Sequence, residues 1–393
     1  MPITGQKRKV QITVNYSGMI DETLSNFTLT LAWYGLGTAG YRVGSVPEEM
    51  ITLDGAYACR TDGGDVRATT DEAGLNECPI DITAIALNAN WRYSIFEAHI
   101  KVPTLSHTQN TTFWLWYNDP TATGYAATAT YGRNNVWSSY DKGVFHLAES
   151  SGSAIDSIGS GYDGTYAGSS FPNRESGSHL YGYYQNFVAA NSNYVEIADT
   201  PSIDRFDIVG DVSMMAVAHP GSAWNNASQF LMGRGQDWCR IRREASTAYV
   251  GFSRVSGGNT YTDYSTADVL DHYFHHLHYN FKRSTGAAGL YVDGVLGTLD
   301  THASDTDTSG NKMRIGLNVD ITARKWDGLI KEVRFSTTAR TAAWIKAEFY
   351  DTINPEYLMT VGTPQDVPTG GNWFLLNNRN DLYNTMQLTN GMR

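Results

Sequence analysis

Four histidines form the densest group of chemically versatile side chains in the sequence. They are His272, His275, His276 and His278. Imidazole is a common zinc ligand, and residues two apart on a β-strand point to the same face, so His276 and His278 would lie side by side. Structural zinc takes four ligands, and the sequence shows no further partner at a suitable spacing. We therefore expect these histidines to hold no metal.

Signatures of common catalytic sites are missing from the sequence. It contains no Gly-x-Ser-x-Gly, no His-Glu-x-x-His, no phosphate-binding loop and no Cys-x-x-Cys. Glycoside hydrolysis needs two carboxylates about 5–10 Å apart. The scattered acids Glu97, Glu196 and Glu332 are expected to be structural or surface groups. The sequence predicts no catalytic residue and no enzymatic activity.

Tryptophans are the next candidates, since aromatic rings stack on sugar rings. The sequence offers Trp91, Trp114, Trp116, Trp137, Trp224, Trp238 and Trp326. Trp114 and Trp116 share one strand face by alternation and are expected in the core. Trp224 lies in the polar stretch Pro-Gly-Ser-Ala-Trp-Asn-Asn-Ala, so it is the surface residue that we predict to contact a glycan.

Three cysteines occur without metal-ligand spacing, namely Cys59, Cys78 and Cys239. We expect buried or idle thiols. A disulfide between Cys59 and Cys78 is the alternative, because both lie in the N-terminal half.

The length and net charge of the chain limit the number of domains and the functions that we expect. A chain of 393 residues predicts two domains, possibly three. A formal net charge of −11 argues against sequence-independent nucleic-acid binding and against attraction to anionic lipid. Residues 1–9 end in basic side chains, but no apolar run follows them. We therefore expect synthesis in a cytosol, without a signal peptide and without membrane insertion.

Alternating apolar residues predict strands along most of the chain. The pattern is strongest in residues 274–335, where Leu277, Tyr279 and Phe281 alternate with polar residues. Asp293-Gly294, between two apolar runs, predicts a tight hairpin with a type I′ turn. A helix is predicted only over residues 339–350, which contain helix-favouring Lys346 and Glu348.

The order of motifs in the second half resembles the laminin-G-like (LamG), concanavalin A-like jelly rolls. Here the motifs read Phe-His-His-Leu-His-Tyr, Leu-Tyr-Val-Asp-Gly and Asp-Gly-Leu-Ile-Lys-Glu-Val-Arg-Phe. The resemblance implies a β-sandwich over residues 138–362. One enzyme family of this fold carries Glu-x-Asp-x-x-Glu on a strand, and that pattern does not occur here.

Residues 1–137 resemble the bacterial domain of unknown function DUF2341, which commonly precedes a LamG domain. The resemblance rests on residues 8–13, 65–71, 100–105 and 113–122, and the glycine of the family's Tyr-Gly-Asn-Pro is Asn118 here. It implies a first β-sandwich, and thus an all-β chain of two jelly-roll domains with one short C-terminal helix.

The LamG resemblance also raises calcium as a cofactor. In such domains an Asp in one loop pairs with acids in the Asp-Glu-Val-Arg-Ile strand, and here Asp156 and Glu332 match. Lys331 replaces the first acid of that strand, which weakens the site. A salt bridge from Lys331 to Asp156 in place of the ion is the alternative.

The tail, residues 363–393, begins as a Pro- and Gly-containing linker and then carries the apolar residues Trp373, Phe374, Leu375 and Leu376. Such a segment cannot form a core alone. Three possibilities stay open: a strand that returns to its own sheet, an arm that docks on a neighbouring subunit, or disorder.

These observations predict a non-enzymatic virion structural protein of a tailed phage, in the tail, baseplate or head decoration. LamG and DUF2341 modules normally act outside cells in adhesion and glycan contact, and phage proteins reach the exterior by lysis. Partners would be other virion proteins, further copies of the chain, or a host-surface glycan. The alternatives are a free carbohydrate-binding adhesin at the cell surface or outside it, and a glycoside hydrolase or lyase.

Overall fold

A computed structural model describes most of the chain. The described residues are 3–35, 42–159, 161–176, 180–198, 206–207, 209–221, 229–234, 239–243, 250–256, 259–264, 269, 271, 273–302, 312–319 and 322–368.

The first sandwich is built from the N-terminal third of the chain, where short alternating runs give eight strands among the described residues. They are β1 Arg8–Val14, β2 Leu24–Gly35, β3 Arg42–Gly44, β4 Arg67–Thr69, β5 Glu77–Cys78, β6 Ile80–Ala86, β7 Ile95–Leu105 and β8 Thr111–Tyr117. Sheet 1 has the order β1-β8-β4-β5, and sheet 2 has the order β3-β2-β7-β6. Apolar residues from both sheets, such as Ile12, Leu29 and Leu115, meet in one core.

The second sandwich follows with fifteen described strands. They are β9 Asp141–Phe145, β10 Thr165–Ala167, β11 Asn173–Ser176, β12 Tyr183–Phe187, β13 Tyr194–Ile197, β14 Val212–Pro220, β15 Gln229–Arg234, β16 Cys239–Arg243, β17 Val250–Ser256, β18 Asn259–Tyr264, β19 His275–Lys282, β20 Ala287–Val292, β21 Val295–Thr301, β22 Met313–Ile315 and β23 Gly328–Ser336.

These strands form two stacked antiparallel sheets. Sheet 3 has the order β11-β12-β23-β14-β19-β20-β21, with β9 paired to β23, and sheet 4 has the order β10-β13-β22-β15-β16-β17-β18. Leu277, Tyr279 and Phe281 are fully buried between the sheets, as their alternation predicted. Asp293 and Gly294 have φ angles of 51° and 75°, which confirms the type I′ geometry of the hairpin.

Two helices follow, and then the chain returns to the first sandwich. Helix α1 spans Ala342–Ile353 and begins at Thr341, whose side chain accepts a hydrogen bond from the amide of Trp344. Helix α2 spans Pro355–Leu358, and the strands β24 Met359–Val361 and β25 Gln365–Asp366 both pair with β1. The fold class, all-β with one substantial C-terminal helix, is confirmed.

The start of the tail is therefore a strand rather than a linker. The amide of Val367 donates to the carbonyl of Lys7, and Asp366 forms an ion pair with Arg8 at 2.7 Å. The apolar residues Trp373, Phe374, Leu375 and Leu376 lie outside the described part of the chain.

The cysteine alternative was wrong, because Cys59 and Cys78 are both free and buried. Burial raises the pKa of the Cys78 thiol to about 12, so it stays protonated at neutral pH. Trp114 and Trp116 are buried as predicted, but they lie on the face of β8 opposite the core residues Phe113 and Leu115. The ammonium of Lys9 covers them, at 4.9 and 5.3 Å from the two ring centroids.

Candidate functional site

The two sandwiches meet through the outer faces of sheets 2 and 3, and we call this layer the domain junction. On sheet 2, Thr30, His99 and Asp81 are register partners across β2, β7 and β6. On sheet 3, Val217 lies between Glu332 and His276 in the register. Because the opposite faces of both sheets are apolar cores, each sheet is buried on both sides, and its polar face supplies the junction.

A β-bulge in β23 changes what the junction contains. Val217 is the partner of Glu332 and Ala218 is the partner of Ile330, so Lys331 is an extra residue in the strand. A bulge lets two consecutive side chains reach the same side of a sheet. Lys331 accordingly binds Glu97 of the first sandwich, with Nζ 2.7 Å from Oε2, and both side chains are almost fully buried.

Helix α1 closes the junction at one end. The carboxylate of Glu348 lies 3.0 Å from His276 Nε2, 2.8 Å from His278 Nδ1 and 3.0 Å from Arg334 Nη1. Burial acts to raise the pKa of Glu348, but the two histidines and Arg334 outweigh it and hold the pKa well below the usual range. The two histidines thus have a partner that the sequence did not reveal, because it stands 72 and 70 residues further along the chain.

At the centre of the junction, His99 and His146 stack with ring centroids 4.3 Å apart. Nδ1 of His146 lies 3.0 Å from Glu332 Oε2, and Nδ1 of His99 lies 3.3 Å from the hydroxyl of Thr30. Burial lowers the pKa of His99, and the neighbouring His146 lowers it further. For His146 burial acts in the same direction, but the charge of Glu332 outweighs it and raises the pKa.

A second acid of helix α1, Asp351, binds Thr30, the hydrogen-bond partner of His99. Asp351 accepts hydrogen bonds from the backbone amide of Thr30 at 2.8 Å and from its hydroxyl at 2.7 Å. Burial raises the pKa of Asp351 to about 7, although these bonds act against the rise. Since its hydroxyl hydrogen goes to Asp351, Thr30 is left as the acceptor for Nδ1–H of His99.

Two neighbouring surface grooves lead to the junction. The larger, about 330 Å³, lies on the first sandwich and is lined by residues that include Asp62, Arg67, Asp81, Tyr125 and Arg133. The smaller, about 200 Å³, shares Asp81 and Arg133 with it and reaches His146 and Glu149. The grooves therefore connect the solvent to the edge of the junction.

Tyr125 gives the larger groove an aromatic surface. Its side chain is 39% exposed, and the guanidinium of Arg67 lies 4.2 Å from the ring centroid. Asp62 nearby accepts two hydrogen bonds from Arg60, and these hold its pKa below the usual range. An aromatic ring beside a few fixed polar groups is the composition of a small-molecule binding groove. A carboxylate held ionised in this way is unsuited to act as a general acid.

The residues that the sequence suggested for calcium, Asp156 and Glu332, make other contacts in the structure. Oδ1 of Asp156 accepts hydrogen bonds from the amides of Val144 and Ile158, whereas Glu332 binds His146 and Arg334. The alternative, a salt bridge from Lys331 to Asp156, was wrong, because the bulge turns Lys331 toward Glu97. Calcium at Asp156 and Glu332 stays an untested prediction.

Of the remaining residues considered from the sequence, some lie outside the described part of the chain and the others form ion pairs. Trp224, Trp238 and His272 lie outside the described residues. His275 points away from Glu348 and binds Asp271 and Asp293 at 2.9 and 2.7 Å. Glu196 pairs with Arg314 at 2.7 Å on sheet 4, as expected for a structural or surface acid. Glu97 and Glu332 are deeply buried at the domain junction rather than at the surface.

Comparison with known proteins supports the second sandwich. Residues 189–346 match the model of a laminin G family described as the concanavalin A-like lectin/glucanases superfamily. No curated protein matches the chain. Among the described residues, no helix has the length and apolar character needed to cross a membrane.

Several solved structures resemble part of the chain. The binding domain of Paraclostridial Mosquitocidal Protein 1 is 10% identical over 53% of this chain and 52% of its own, with a TM-score of 0.43. The binding domain of botulinum neurotoxin serotype G is 12% identical over 53% and 50%, with a TM-score of 0.40. The chain spans about half the length of these two structures. Domain 4 of AbnA, a GH43 extracellular arabinanase from Geobacillus stearothermophilus in complex with arabinotriose, is 16% identical over 53% and 97%, with a TM-score of 0.41.

Proposed function

We propose that the chain is a non-enzymatic adhesion module that contacts glycans through the larger groove of its first sandwich. The observation that carries the proposal is the half-exposed ring of Tyr125, held against Arg67 on the wall of a groove with fixed polar groups. Aromatic faces stack on sugars, and charged or amide groups then fix the orientation of the hydroxyls. The lectins in the description of the matched family agree with this function.

The test is glycan binding by the full chain, first on an array and then by calorimetry with the best ligand. Tyr125→Ala is expected to weaken binding about tenfold, because an aromatic contact contributes about 1 kcal/mol or more. Tyr57→Ala is the matched control, since Tyr57 is 43% exposed and also carries an arginine at 4.2 Å, but it does not line the groove. Equal binding by the two variants would contradict the site.

Trp224 stays the second glycan candidate from the sequence. If Trp224→Ala abolishes binding while Tyr125→Ala does not, the glycan contact involves Trp224 and the larger groove is not used. The competing hydrolase function has its own readout, which is the release of reducing ends from polysaccharides by the pure protein. Turnover that persists through purification would refute the non-enzymatic proposal.

We further propose that the module is carried on the outside of a tailed-phage virion, with DUF2341-like residues 1–137 as its first sandwich. What supports this is the architecture, two sandwiches with a tail that leaves the edge of sheet 1 after Asp366. Cryo-EM of virions from a phage that encodes the chain would place it. Absence of the protein from purified virions, with secretion by a bacterial host, would favour the free adhesin.

The tail provides an assembly test. Removal of residues 369–393 leaves β25 and its ion pair with Arg8 in place, so the truncated chain should keep its unfolding temperature. We expect it to be lost from the assembly because the apolar residues Trp373–Leu376 are the proposed docking segment. Normal incorporation of the truncated chain would exclude the role of the arm.

A further inference from the structure

The larger groove carries a guanidinium that the rest of the described chain does not bind. Arg133 lines this groove and also the smaller groove beside it. Its Nε is buried, whereas Nη1 and Nη2 are open to solvent, and none of the three nitrogens has a hydrogen-bond partner among the described residues. Arg133 forms no ion pair with a described carboxylate either. Its two terminal nitrogens therefore remain available to a ligand.

A tightly folded loop holds Arg133 in place. The amide of Ile80 on β6 donates to the carbonyl of Tyr131 at 3.1 Å. A Cβ at Gly132 would overlap the carbonyl oxygen of Ala126, so the backbone next to Arg133 is closely packed. Because the loop is anchored and the side chain is buried as far as Nε, little conformational freedom is lost when a ligand binds the guanidinium.

The other charged groups of the larger groove already have partners. Asp62 forms an ion pair with Arg60 at 2.8 Å. The terminal nitrogens of Arg67 donate to three backbone carbonyls, and its Nε lies 3.7 Å from Oε1 of Glu77. Both charges are thus offset within the protein.

The acids of the smaller groove are offset or hydrogen-bonded as well. Asp81, which lines both grooves, is only 6% exposed, and its Oδ2 lies 3.8 Å from Nε2 of His146. Burial acts to lower the pKa of His146, but Glu332 raises it, which favours the imidazolium that offsets the charge of Asp81. Glu149 accepts a hydrogen bond from the hydroxyl of Tyr166 at 2.9 Å. Among the described residues of the two grooves, the uncompensated charge is therefore the positive charge of Arg133.

This local charge favours an anionic ligand although the chain as a whole has a net charge of −11. At physiological ionic strength, exposed charges more than about 8 Å apart are largely screened from one another. A carboxylate bound to a guanidinium lies only about 2.8 Å from its nitrogens, so that contact is hardly screened. The planar guanidinium also matches a carboxylate, because two parallel N–H groups reach its two oxygens.

We propose that the glycan of the larger groove is an acidic sugar whose carboxylate binds Nη1 and Nη2 of Arg133, while its ring packs on Tyr125. Both residues line this groove of about 330 Å³. The inference rests on the proposed glycan contact and names the chemical class of its ligand. Uronic acids and sialic acids both carry such a carboxylate, so one probe of each kind is needed.

The experiment is calorimetry of the full chain with trigalacturonate and with 3′-sialyllactose, each compared with its methyl ester. The wild type should bind at least one of the two acids about tenfold more tightly than the ester of that acid, the size expected for charge-assisted hydrogen bonds. Arg133→Gln should lose this factor for the acid and bind the ester unchanged. Arg133→Lys should recover part of it, since lysine keeps the charge but not the planar pair of donors.

Arg92→Gln is the matched control, because it changes the net charge equally, and Arg92 is exposed and lines neither groove. It should leave the affinities for acid and ester unchanged, and circular dichroism checks the fold of every variant. The inference is overturned if the wild type binds acids and esters equally, or if Arg133→Gln weakens both forms alike or neither.

The same measurements separate this inference from the proposed function. Neutral glycans whose binding depends on Tyr125 but not on Arg133 would overturn the acidic class and keep the glycan contact. No binding of any glycan would refute both.

Discussion

Substitution of Lys331 by methionine tests whether the ion pair across the domain junction holds the sandwiches together. Methionine keeps much of the volume of the lysine stem but removes the ammonium. Glu97 would then be left as an anion that is only 1% exposed, opposite a thioether. Burial raises the pKa of Glu97 on its own, and the charge of Lys331 is the main influence that keeps it low.

The size of the effect follows from burial. Exposed ion pairs contribute about 0–1 kcal/mol, whereas removal of one partner of a buried pair costs about 3–5 kcal/mol. The pair of Glu97 and Lys331, at 2.7 Å and nearly inaccessible, belongs to the second class. With about 2.1 cal/mol/K of unfolding entropy per residue and 393 residues, a loss of about 4 kcal/mol lowers Tm by roughly 5 °C if the chain unfolds as one unit.

Urea unfolding, followed in parallel by far-UV circular dichroism and tryptophan fluorescence, measures this loss. Lys346→Met is the control, because Lys346 pairs with Asp21 at 2.8 Å but both side chains are substantially exposed. It should cost less than about 1 kcal/mol. The double variant Glu97→Gln/Lys331→Met should recover part of the loss, since the unpaired charge is gone.

Similar losses for Lys331→Met and Lys346→Met would refute the reasoning. So would a double variant that is less stable than Lys331→Met by the full cost of a second, independent substitution. If the two spectroscopic probes separate in Lys331→Met but coincide in the wild type, the substitution has uncoupled the sandwiches, which is the expected direction.

Two further predictions concern the contacts of single residues. Burial acts to lower the pKa of His275, but the hydrogen bond and charge of Asp293, together with those of Asp271, outweigh burial and raise the pKa. These contacts therefore stabilise the fold fully below about pH 6.5, and the stabilisation is lost as pH rises through the raised folded-state pKa. Asp293→Asn leaves Asp271 in place but should make this pH slope shallower in urea unfolding between about pH 5.5 and 8.5, and an unchanged slope would exclude Asp293 as its main source. A Cβ at Gly182 would overlap the carboxylate of Glu97, whereas a Cβ at Gly152 would meet nothing within 4 Å, and both glycines have positive φ. Thermal unfolding should therefore show a loss of stability of about 1 kcal/mol for Gly152→Ala and about 3 kcal/mol or more for Gly182→Ala. Equal losses for the two variants would contradict the packing at the domain junction.

The sequence predicted those features that depend on neighbours in the chain. The alternation of Leu277, Tyr279 and Phe281 placed all three in the core, and Asp293-Gly294 specified its turn. The helix was also predicted, although it begins at Ala342 rather than at residue 339. In each case the local backbone period or turn conformation is set by adjacent residues.

The domain junction could not be predicted from the sequence, because it depends on contacts between segments that are distant in the chain. Glu97 and Lys331 are 234 positions apart. The bulge that turns Lys331 toward the first sandwich has no signature in the sequence. It is also the reason why the alternative bridge from Lys331 to Asp156 was wrong. One signal was present, since Glu97 and His99 alternate with core residues on β7. Alternation identifies a polar face, but it does not tell whether water or a second sandwich covers that face.

The return of β24 and β25 to β1 has a consequence for biosynthesis. Residues 359–366 complete an edge of sheet 1, yet they leave the ribosome only after the whole second sandwich has been translated. Until then β1 presents an unpaired edge, and such edges invite association with other nascent chains. The N-terminal sandwich is thus the first to begin folding and the last to finish, which makes release of the C-terminal strands the step that protects the polypeptide from aggregation.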